Sequence, residues 1–491
     1  MDNNLRYSRQ FILTDSSEPF DDSWKKHRFS FLNLYTHPLL DTNYVKNEDS
    51  KIELLLIGYI FDCQSRGKEE TEILLDTVKA GRRFEDISLA ISKLSGRFVL
   101  LLIFNETTYL FNDPGGLRSV YYSKNNNKIF IGSQPAIFSN FFELAKTKNY
   151  YKFIESDYYK KNIDFSLPSG VTLFKEINHL LPNHYLNIST LKQHRYWPVS
   201  EIRSIELEKG INESSRLFSN LLFEASRRFD LSLPLTAGYD SRTILSFCKP
   251  FVNEVYTYTL KYRNLNISSN DIRIPKLLTR SLNISHSLLD CHLNMDAAFL
   301  DYYSTNTDLY HSDWAKIAYG LYLNYPNHLV ALKGACSEIV KCWYQNRINK
   351  KNIYSGLHLS KLESGWEKFN FIVETLDLWI NDVKQCCLDN NLNILDLFVW
   401  EHRIGTWQAN CQLEWDIVQE VYSPFNTRPI LELMLGIDPK YRHYEKPIFL
   451  EKLIENSWKE LNVFPVNPIK LSTFIKNRLQ TFLTKRNLYI R

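Results

Sequence analysis

A turn of small and hydroxyl-bearing residues at positions 235–242 is the part of the sequence best suited to chemistry. Its sequence is Leu-Thr-Ala-Gly-Tyr-Asp-Ser-Arg, and it follows an apolar stretch, 231–235, that we predict to be a strand. Such a turn before a helix lets successive backbone N–H groups point into one concavity, where the helix N-terminus adds partial positive charge. Thr236 and Ser241 can donate hydroxyl hydrogen bonds to phosphate oxygens, and Asp240 can bind a Mg²⁺ that bridges two phosphates. The pattern predicts a phosphate loop, although not a Walker loop, because no Gly-Lys-Ser/Thr follows.

A second segment, 332–338, strengthens this interpretation. Its sequence, Leu-Lys-Gly-Ala-Cys-Ser-Glu, also follows an apolar strand and ends in a carboxylate, Glu338. Two adjacent strand ends that each carry one carboxylate could hold a Mg²⁺–pyrophosphate from opposite sides. The alternatives are structural: Asp240 and Ser241 as helix caps, and Glu338 as an ordinary carboxylate at a helix start.

Length and composition describe the protein that must position these residues. A chain of 491 residues exceeds the size at which one hydrophobic core stops growing, so two domains are expected. The net charge of +4, from 59 basic and 55 acidic residues, is too small to indicate a nucleic-acid partner. Only the C-terminal end is locally basic. It could be a solvated helix, or a surface that binds an anionic partner or a membrane. Its basic residues are Lys470, Lys476, Arg478, Lys485, Arg486 and Arg491.

The cysteines and the apolar runs indicate a cytoplasmic protein. The eight cysteines form no C-x-x-C pair and have no histidines at zinc spacing, so we expect reduced thiols. The N-terminus has no apolar stretch typical of a signal peptide. The longest apolar runs, 54–61 and 98–104, are far shorter than a membrane span, so no integral membrane contact is expected.

The pattern of elements changes near residue 203. Before it, apolar strands alternate with turn clusters, which predicts an antiparallel layered domain over 1–202. One predicted pair joins 171–174 to 184–188. After it, strands alternate with helices, which predicts a doubly wound parallel sheet in 203–491, with a mostly helical part beyond residue 355. The predicted strands are 52–61, 96–104, 107–112 and 128–132 in the first domain, and 231–235, 255–260 and 328–332 in the second.

These segments resemble the asparagine synthetase family. The loop 236–241 is similar to its Ser-Gly-Gly-x-Asp-Ser pyrophosphate loop, with Thr and Ala in place of the first Ser and Gly. The segment 334–338 is similar to its Gly-Asp-Gly-Gly-Asp segment, with Glu338 at the second metal-binding acid and Ala335 at the first. The resemblance runs through nearly the whole chain. Its other parts are 94–98, 112–118 and 174–184, which are similar to a class II glutamine amidotransferase domain, and 270–286 and 423–428.

The resemblance implies a fold and a set of site residues. The fold would be an antiparallel αββα amidotransferase-like (Ntn) domain followed by a parallel-sheet PP-loop ATP pyrophosphatase domain. Asp240 and Glu338 would bind Mg²⁺ and act in catalysis, with a late lysine that could be Lys446, Lys459 or Lys470; we select Lys446. The residues expected to contact ATP are Leu235, Thr236, Gly238, Asp240, Ser241, Thr259 and Gly334.

Three departures from the family pattern bear on the chemistry. Class II amidotransferases use a cysteine exposed after removal of the first Met, whereas Asp2 stands here, so we expect no glutaminase activity. Ala335 removes one acidic contact, and Asp271 could supply metal or adenosine contacts or cap a helix. The late lysine is not fixed by the sequence.

The implied reaction is adenylation of a carboxylate by ATP, with release of pyrophosphate, and then amide formation with ammonia or a substrate amine. The substrate would be a small-molecule, peptide or glycan carboxylate, and a homodimer is open. The region 308–318, with His311 and Asp313, would recognise the acyl group, or His311 would be an ordinary polar contact. The alternatives are asparagine synthase proper and a non-catalytic relative that binds nucleotide or a partner.

Overall fold

The chain is a mixed α/β protein with separate antiparallel and parallel sheets. The computed structural model describes residues 5–49, 51–345 and 355–468. Within them lie two six-stranded antiparallel sheets and one five-stranded parallel sheet, as predicted in outline. The Asp2 position and the basic C-terminal residues, Lys470 among them, lie outside the described residues. In the described ranges, no helix combines the length and apolar composition that crossing a bilayer requires.

Two antiparallel sheets form the amino-terminal part. The first contains, in spatial order, β10 (Ile177–His179), β8 (Tyr121–Asn125), β9 (Lys128–Gly132), β1 (Phe11–Thr14), β3 (Leu32–Thr36) and β2 (Lys25–Phe29). The second contains β12 (Lys192–Arg195), β11 (His184–Asn187), β7 (Thr107–Asn112), β6 (Leu94–Phe104), β5 (Ile52–Asp62) and β4 (Thr42–Asn47). The helices of this part are α1 (Glu70–Val78), α2 (Phe84–Ser92), α3 (Lys148–Ile154) and α4 (Asp157–Lys161).

The alternation of side chains along β6 explains how these sheets pack. Val99 and Leu101 belong to the apolar core shared with the first sheet. Phe98 and Leu100 face the other way, into the core under α1 and α2. Because successive strand residues point to opposite faces, one continuous apolar strand serves both cores. The two antiparallel sheets therefore share one core, and α1 and α2 cover the other face of the second sheet.

The parallel sheet has the spatial order β15 (His286–Asp290), β14 (Tyr256–Lys261), β13 (Leu231–Pro234), β16 (Val330–Leu332) and β17 (Glu420–Tyr422). All neighbouring strands are parallel. In chain order the sheet is 3-2-1-4-5, so the direction of winding reverses between β13 and β16. In open α/β sheets, ligands bind outside the carboxyl ends of the strands at this switch point.

The helices of the second part follow these strands. They are α5 (Leu207–Arg228), α6 (Tyr239–Phe247), α7 (Asn270–Ser281), α8 (Ala297–Thr305), α9 (Ser312–Asn324), α10 (Gly356–Ser360), α11 (Asn370–Asp389), α12 (Ile394–Phe398), α13 (Ala409–Trp415), α14 (Arg428–Gly436) and α15 (Ile448–Trp458). Between α12 and α13, Val399–Gln408 is a π-helix. The long amphipathic pattern predicted after residue 203 corresponds to α5, whose buried face includes Leu217, Leu221 and Ala225.

One predicted strand pair is wrong, and two strands were not predicted. The pair between 171–174 and 184–188 is wrong: Phe174 makes only an isolated bridge with Lys146, and β11 pairs with β7 and β12 instead. The sequence patterns also missed β15 and β17. Both are edge strands of three to five residues, too short for an apolar run to reveal them.

A buried ion network joins the antiparallel sheets to the edge of the parallel sheet. Arg97, on β6, donates to both carboxylate oxygens of Asp416 at 2.5 and 2.8 Å and to Glu420 at 3.0 Å. Arg118 also donates to Glu420, at 3.3 Å. The side chains of Arg97 and Asp416 are only 2% and 1% exposed. Removing one member of such a pair leaves the other charge buried without compensation.

We expect Asp416→Asn to destabilise the protein by about 3 kcal/mol, because Arg97 and Arg118 must then share the single carboxylate of Glu420 in the interior. The measurement is urea denaturation followed by tryptophan fluorescence. Lys161→Ala is the matched control, since its pair with Asp157 is about three-quarters exposed on both sides and should leave the midpoint unchanged. Equal midpoints for the Asp416 variant and wild type would contradict the role of the network.

Candidate phosphate-binding site

The loop between β13 and α6 lies at the switch point of the parallel sheet. Thr236 is exposed at its turn, and its hydroxyl lies 3.2 Å from that of Ser241. The Gly238 amide donates to the Thr236 hydroxyl at 3.1 Å, and the Ala237 amide donates to Asp271 at 3.0 Å. The loop therefore gathers hydroxyls and amides in one place, as predicted. Asp271 is in the first turn of α7, where its carboxylate holds this loop; the N-cap of α7 is Ser269.

The N-terminus of α6 begins where the loop ends. Gly238 is the N-cap residue, and within the described residues this helix end has no side-chain cap hydrogen bond. The first N–H groups of an α-helix have no partner within the helix, and they favour a negative charge. The predicted caps, Asp240 and Ser241, lie inside the helix instead. The Asn467 backbone amide donates to the Ala237 carbonyl at 3.0 Å, so the segment before residue 468 lies beside this end of α6.

The second loop meets the first at close range. A Cβ placed on Gly334 would lie 2.5 Å from the Cβ of Asp240, so only glycine allows this approach. The hydroxyl of Ser423 donates to the Ala335 carbonyl at 2.6 Å and ties the segment after β17 to the same loop. The structure therefore brings together the two segments that the sequence predicted to share one site.

Each predicted metal-binding carboxylate is held by a basic side chain. The Lys341 ammonium donates to both oxygens of Asp240, at 2.9 and 2.8 Å. Arg403, from the π-helix, donates to Glu338 at 2.5 Å. The sequence analysis missed both cations. Lys341 follows Glu338 by three residues and could have been noticed, whereas Arg403 is 65 residues further along and has no local signal.

As arranged, these residues do not fit a Mg²⁺ held by the protein. Mg²⁺ requires near-octahedral oxygen ligands, and here both carboxylates already have cationic partners. Among the described residues, no group of three or more His, Cys, Asp and Glu side chains could hold a metal ion. Asp240 and Glu338, the predicted metal ligands, each form an ion pair with a basic side chain instead.

Leu235 and Thr259, predicted to contact ATP, are internal. The Leu235 amide donates to the Tyr258 carbonyl at 2.7 Å, and the Thr259 hydroxyl donates to the Leu235 carbonyl at 2.8 Å. The same hydroxyl lies 3.0 Å from His286, whose pKa burial lowers to about 4. Both residues are about 2% exposed. They hold β13 against β14, and the ligand-facing part of the loop begins at Thr236.

The candidate lysines lie apart from these ion pairs. Lys446 and Lys459 are exposed, and neither forms an ion pair with a described residue. Tyr444, two residues before Lys446, packs against Trp343 with ring centroids 4.2 Å apart. Within the described residues, no hydrogen bond or ion pair joins the Lys446 side chain to the phosphate loop.

The expected acyl-recognition region is packed internally. His311 is 2% exposed, and its two ring nitrogens lie 2.7 Å from Glu414 and 2.8 Å from the Phe165 carbonyl. Its ring stacks between Phe165 and Trp314. With both nitrogens occupied, His311 is an ordinary polar contact in this arrangement. Asp313 and Asp164 both bind Arg263, so they form a charged cluster after β14.

Two cavities lie away from the phosphate loop. One, of about 780 Å³, is lined by residues from 199–217 and 428–433. The other, of about 480 Å³, is lined by residues from 387–396 and 435–442. Neither lining includes the phosphate loop or the residues of its ion pairs. Cavity size and switch-point geometry therefore indicate different positions for a ligand site. We favour the switch point, because it joins uncapped helix amides with hydroxyls and cations.

Comparisons with known proteins do not assign a family. No family model matches the chain, and no curated protein matches it. Solved structures with some likeness include glutamine phosphoribosylpyrophosphate amidotransferase from B. subtilis, complexed with ADP and GMP, and an allosteric regulatory enzyme of purine biosynthesis. Each is 11% identical and covers 58% of this chain, over 86% and 75% of its own length, with a TM-score of 0.25. A likeness this slight carries no argument, so the functional inference rests on the geometry of the site.

The contact between Gly334 and Asp240 yields a test of the site architecture. Gly334→Ala places a methyl group 2.5 Å from the Asp240 Cβ, so we expect a loss of about 1–3 kcal/mol in stability. Ser226→Ala, on α5, is the control, since its hydroxyl donates within its own helix to the Phe223 carbonyl. Urea denaturation compares both variants with wild type. A Gly334→Ala protein as stable as wild type would contradict the close packing of the two loops.

Proposed function

We propose that the chain is an ATP-dependent carbon–nitrogen ligase that adenylates a carboxylate and then forms an amide. The observation that carries this proposal is the pairing of β13 with β16 at the switch point. This pairing directs both loops into one crevice at the carboxyl ends of the strands, where α/β sheets bind nucleotides. The sequence resemblance to asparagine synthetases supports the same reaction. The two parts would divide near residue 202.

In the proposed first step, a carboxylate oxygen of the substrate bonds to the α-phosphorus of ATP. The bond from that phosphorus to the β-phosphate bridging oxygen breaks, and its electron pair leaves with pyrophosphate. Thr236, Ser241 and the first amides of α6 donate hydrogen bonds to the departing oxygens. Such preorganised donors stabilise charge as it develops in the transition state. An amine nitrogen then attacks the acyl carbon, and AMP leaves.

The proposed amine is free ammonia or an amine of the substrate. A glutaminase of the amidotransferase type needs an accessible thiolate, and the one cysteine before residue 202 is Cys63. It is fully buried, and burial raises the pKa of its thiol to about 12. Such a thiol is inert at neutral pH. Asparagine synthase proper is one member of the proposed class.

A binding-only relative is the second candidate, and one observation favours it. The hydrogen-bonding groups of Thr236, Ala237 and Gly238 already have partners within the protein, as do both carboxylates. A site closed on itself in this way could hold a nucleotide without turning it over. The two candidates differ in one measurable property, which is the release of pyrophosphate.

The test is ATP–pyrophosphate exchange and AMP formation with Mg²⁺ over a panel of carboxylic acids that includes aspartate. We expect one acid to support exchange, and Thr236→Val to lower kcat/KM by about 10²-fold through loss of one hydroxyl donor. Ser226→Ala, on α5, is the control and should match wild type. ATP binding without exchange for any acid would favour the binding-only candidate. Full activity in Thr236→Val would contradict the assigned loop.

A further inference from the structure

Two cation–carboxylate pairs lie side by side at the crevice. Lys341 holds Asp240 in the first turn of α6, and Arg403 holds Glu338 just beyond the second loop. The side chains of Lys341 and Arg403 are 7% and 16% exposed, so both cations are largely withdrawn from water. The Asp240 carboxylate is more open, at 34%. The Lys341 ammonium is therefore held beside the first turn of α6, next to a carboxylate that is partly open to solvent.

Arg403 is held in place from several sides. Its guanidinium carbon lies 4.7 Å from the Trp343 ring centroid and 4.4 Å from that of Trp407. It also donates to Glu363, at 3.4 Å. Burial disfavours the guanidinium, yet the carboxylate of Glu338 raises its pKa above the ordinary value. A cation sandwiched between two indoles is both positioned and permanently charged. A solvent-exposed ion pair would not need these additional contacts.

The pairs also make metal binding at these carboxylates unfavourable. A divalent cation at Asp240 would have to displace the Lys341 ammonium from both oxygens, and a cation at Glu338 would face the fixed Arg403 guanidinium. Like charges at this range repel strongly in a partly buried site. No third acidic ligand offsets this among the described residues. The site is arranged to neutralise an anion with side chains.

We propose that Lys341 is the phosphate-binding cation of this site and carries the role expected of protein-held Mg²⁺, while Arg403 holds Glu338 beside it. The inference rests on the proposed function, and it assigns the catalytic lysine to Lys341 in place of Lys446. Lys341 is within 3 Å of a residue in the first turn of α6, so its ammonium can reach an anion bound to the helix amides.

The decisive experiment compares pyrophosphate binding by isothermal titration calorimetry in EDTA. We expect wild type to bind inorganic pyrophosphate without metal, and Lys341→Met to bind it at least about tenfold more weakly. Lys341→Arg should restore affinity to within about threefold, because it keeps the charge. Lys276→Met, which removes an exposed lysine of α7, is the matched control. Unchanged affinity in Lys341→Met would overturn the proposal.

The Asp240→Asn variant distinguishes phosphate binding by Lys341 from phosphate binding through a Mg²⁺ held at Asp240. If Lys341 binds the phosphates, this variant frees its ammonium and removes a neighbouring negative charge, so pyrophosphate affinity in EDTA rises. If Asp240 holds Mg²⁺, affinity measured with Mg²⁺ falls in the same variant. If wild type binds pyrophosphate only with Mg²⁺ and Asp240→Asn weakens that binding, the inference about Lys341 is overturned, while the proposed function stands. Absence of pyrophosphate and ATP binding with and without Mg²⁺ overturns the proposed function as well.

Discussion

The parallel pairing of β13 with β16 is the constraint on which the rest of the site depends. These strands are far apart in sequence, yet their register places Leu231 beside Val330 and Ser232 beside Ala331. Because the winding direction reverses here, the connections that follow the two strands leave toward opposite sides of the sheet. The following loops meet so closely that Gly334 has no space for a side chain. The pairing thus sets the position of the helix amides, the hydroxyls and both carboxylates at once.

Buried arginines with paired carboxylates recur wherever the parts of this chain meet. Arg97 joins the antiparallel sheets to Asp416, and Arg195 joins β12 to Glu401 in the π-helix, at 2.5 and 3.0 Å. Arg403, two residues further along, then holds Glu338. A π-helix is rare, and it often occurs at functional sites. Here the π-helix carries both Glu401, the partner of Arg195, and Arg403. The same ten residues therefore link the amino-terminal sheets to the candidate site.

Local signals made much of the fold and part of the site predictable. The strands of 52–62 and 94–104 were visible as apolar runs, and the loop around Thr236 was visible as a small-residue turn after a strand. Arg403 was not visible, because it reaches Glu338 only through tertiary packing, which periodicity does not encode. The burial of Thr259 is of the same kind: its residue type suits a ligand contact, but the neighbouring strand takes its hydroxyl.

The most direct test of this account is a crystal structure of the protein with a non-hydrolysable ATP analogue. The account predicts that the phosphates lie at the N-terminus of α6, in contact with Thr236 and Ser241, with the Lys341 ammonium turned from Asp240 to a phosphate oxygen. Nucleotide found instead in the cavity lined by 199–217 and 428–433, with both ion pairs at the switch point intact, would contradict it.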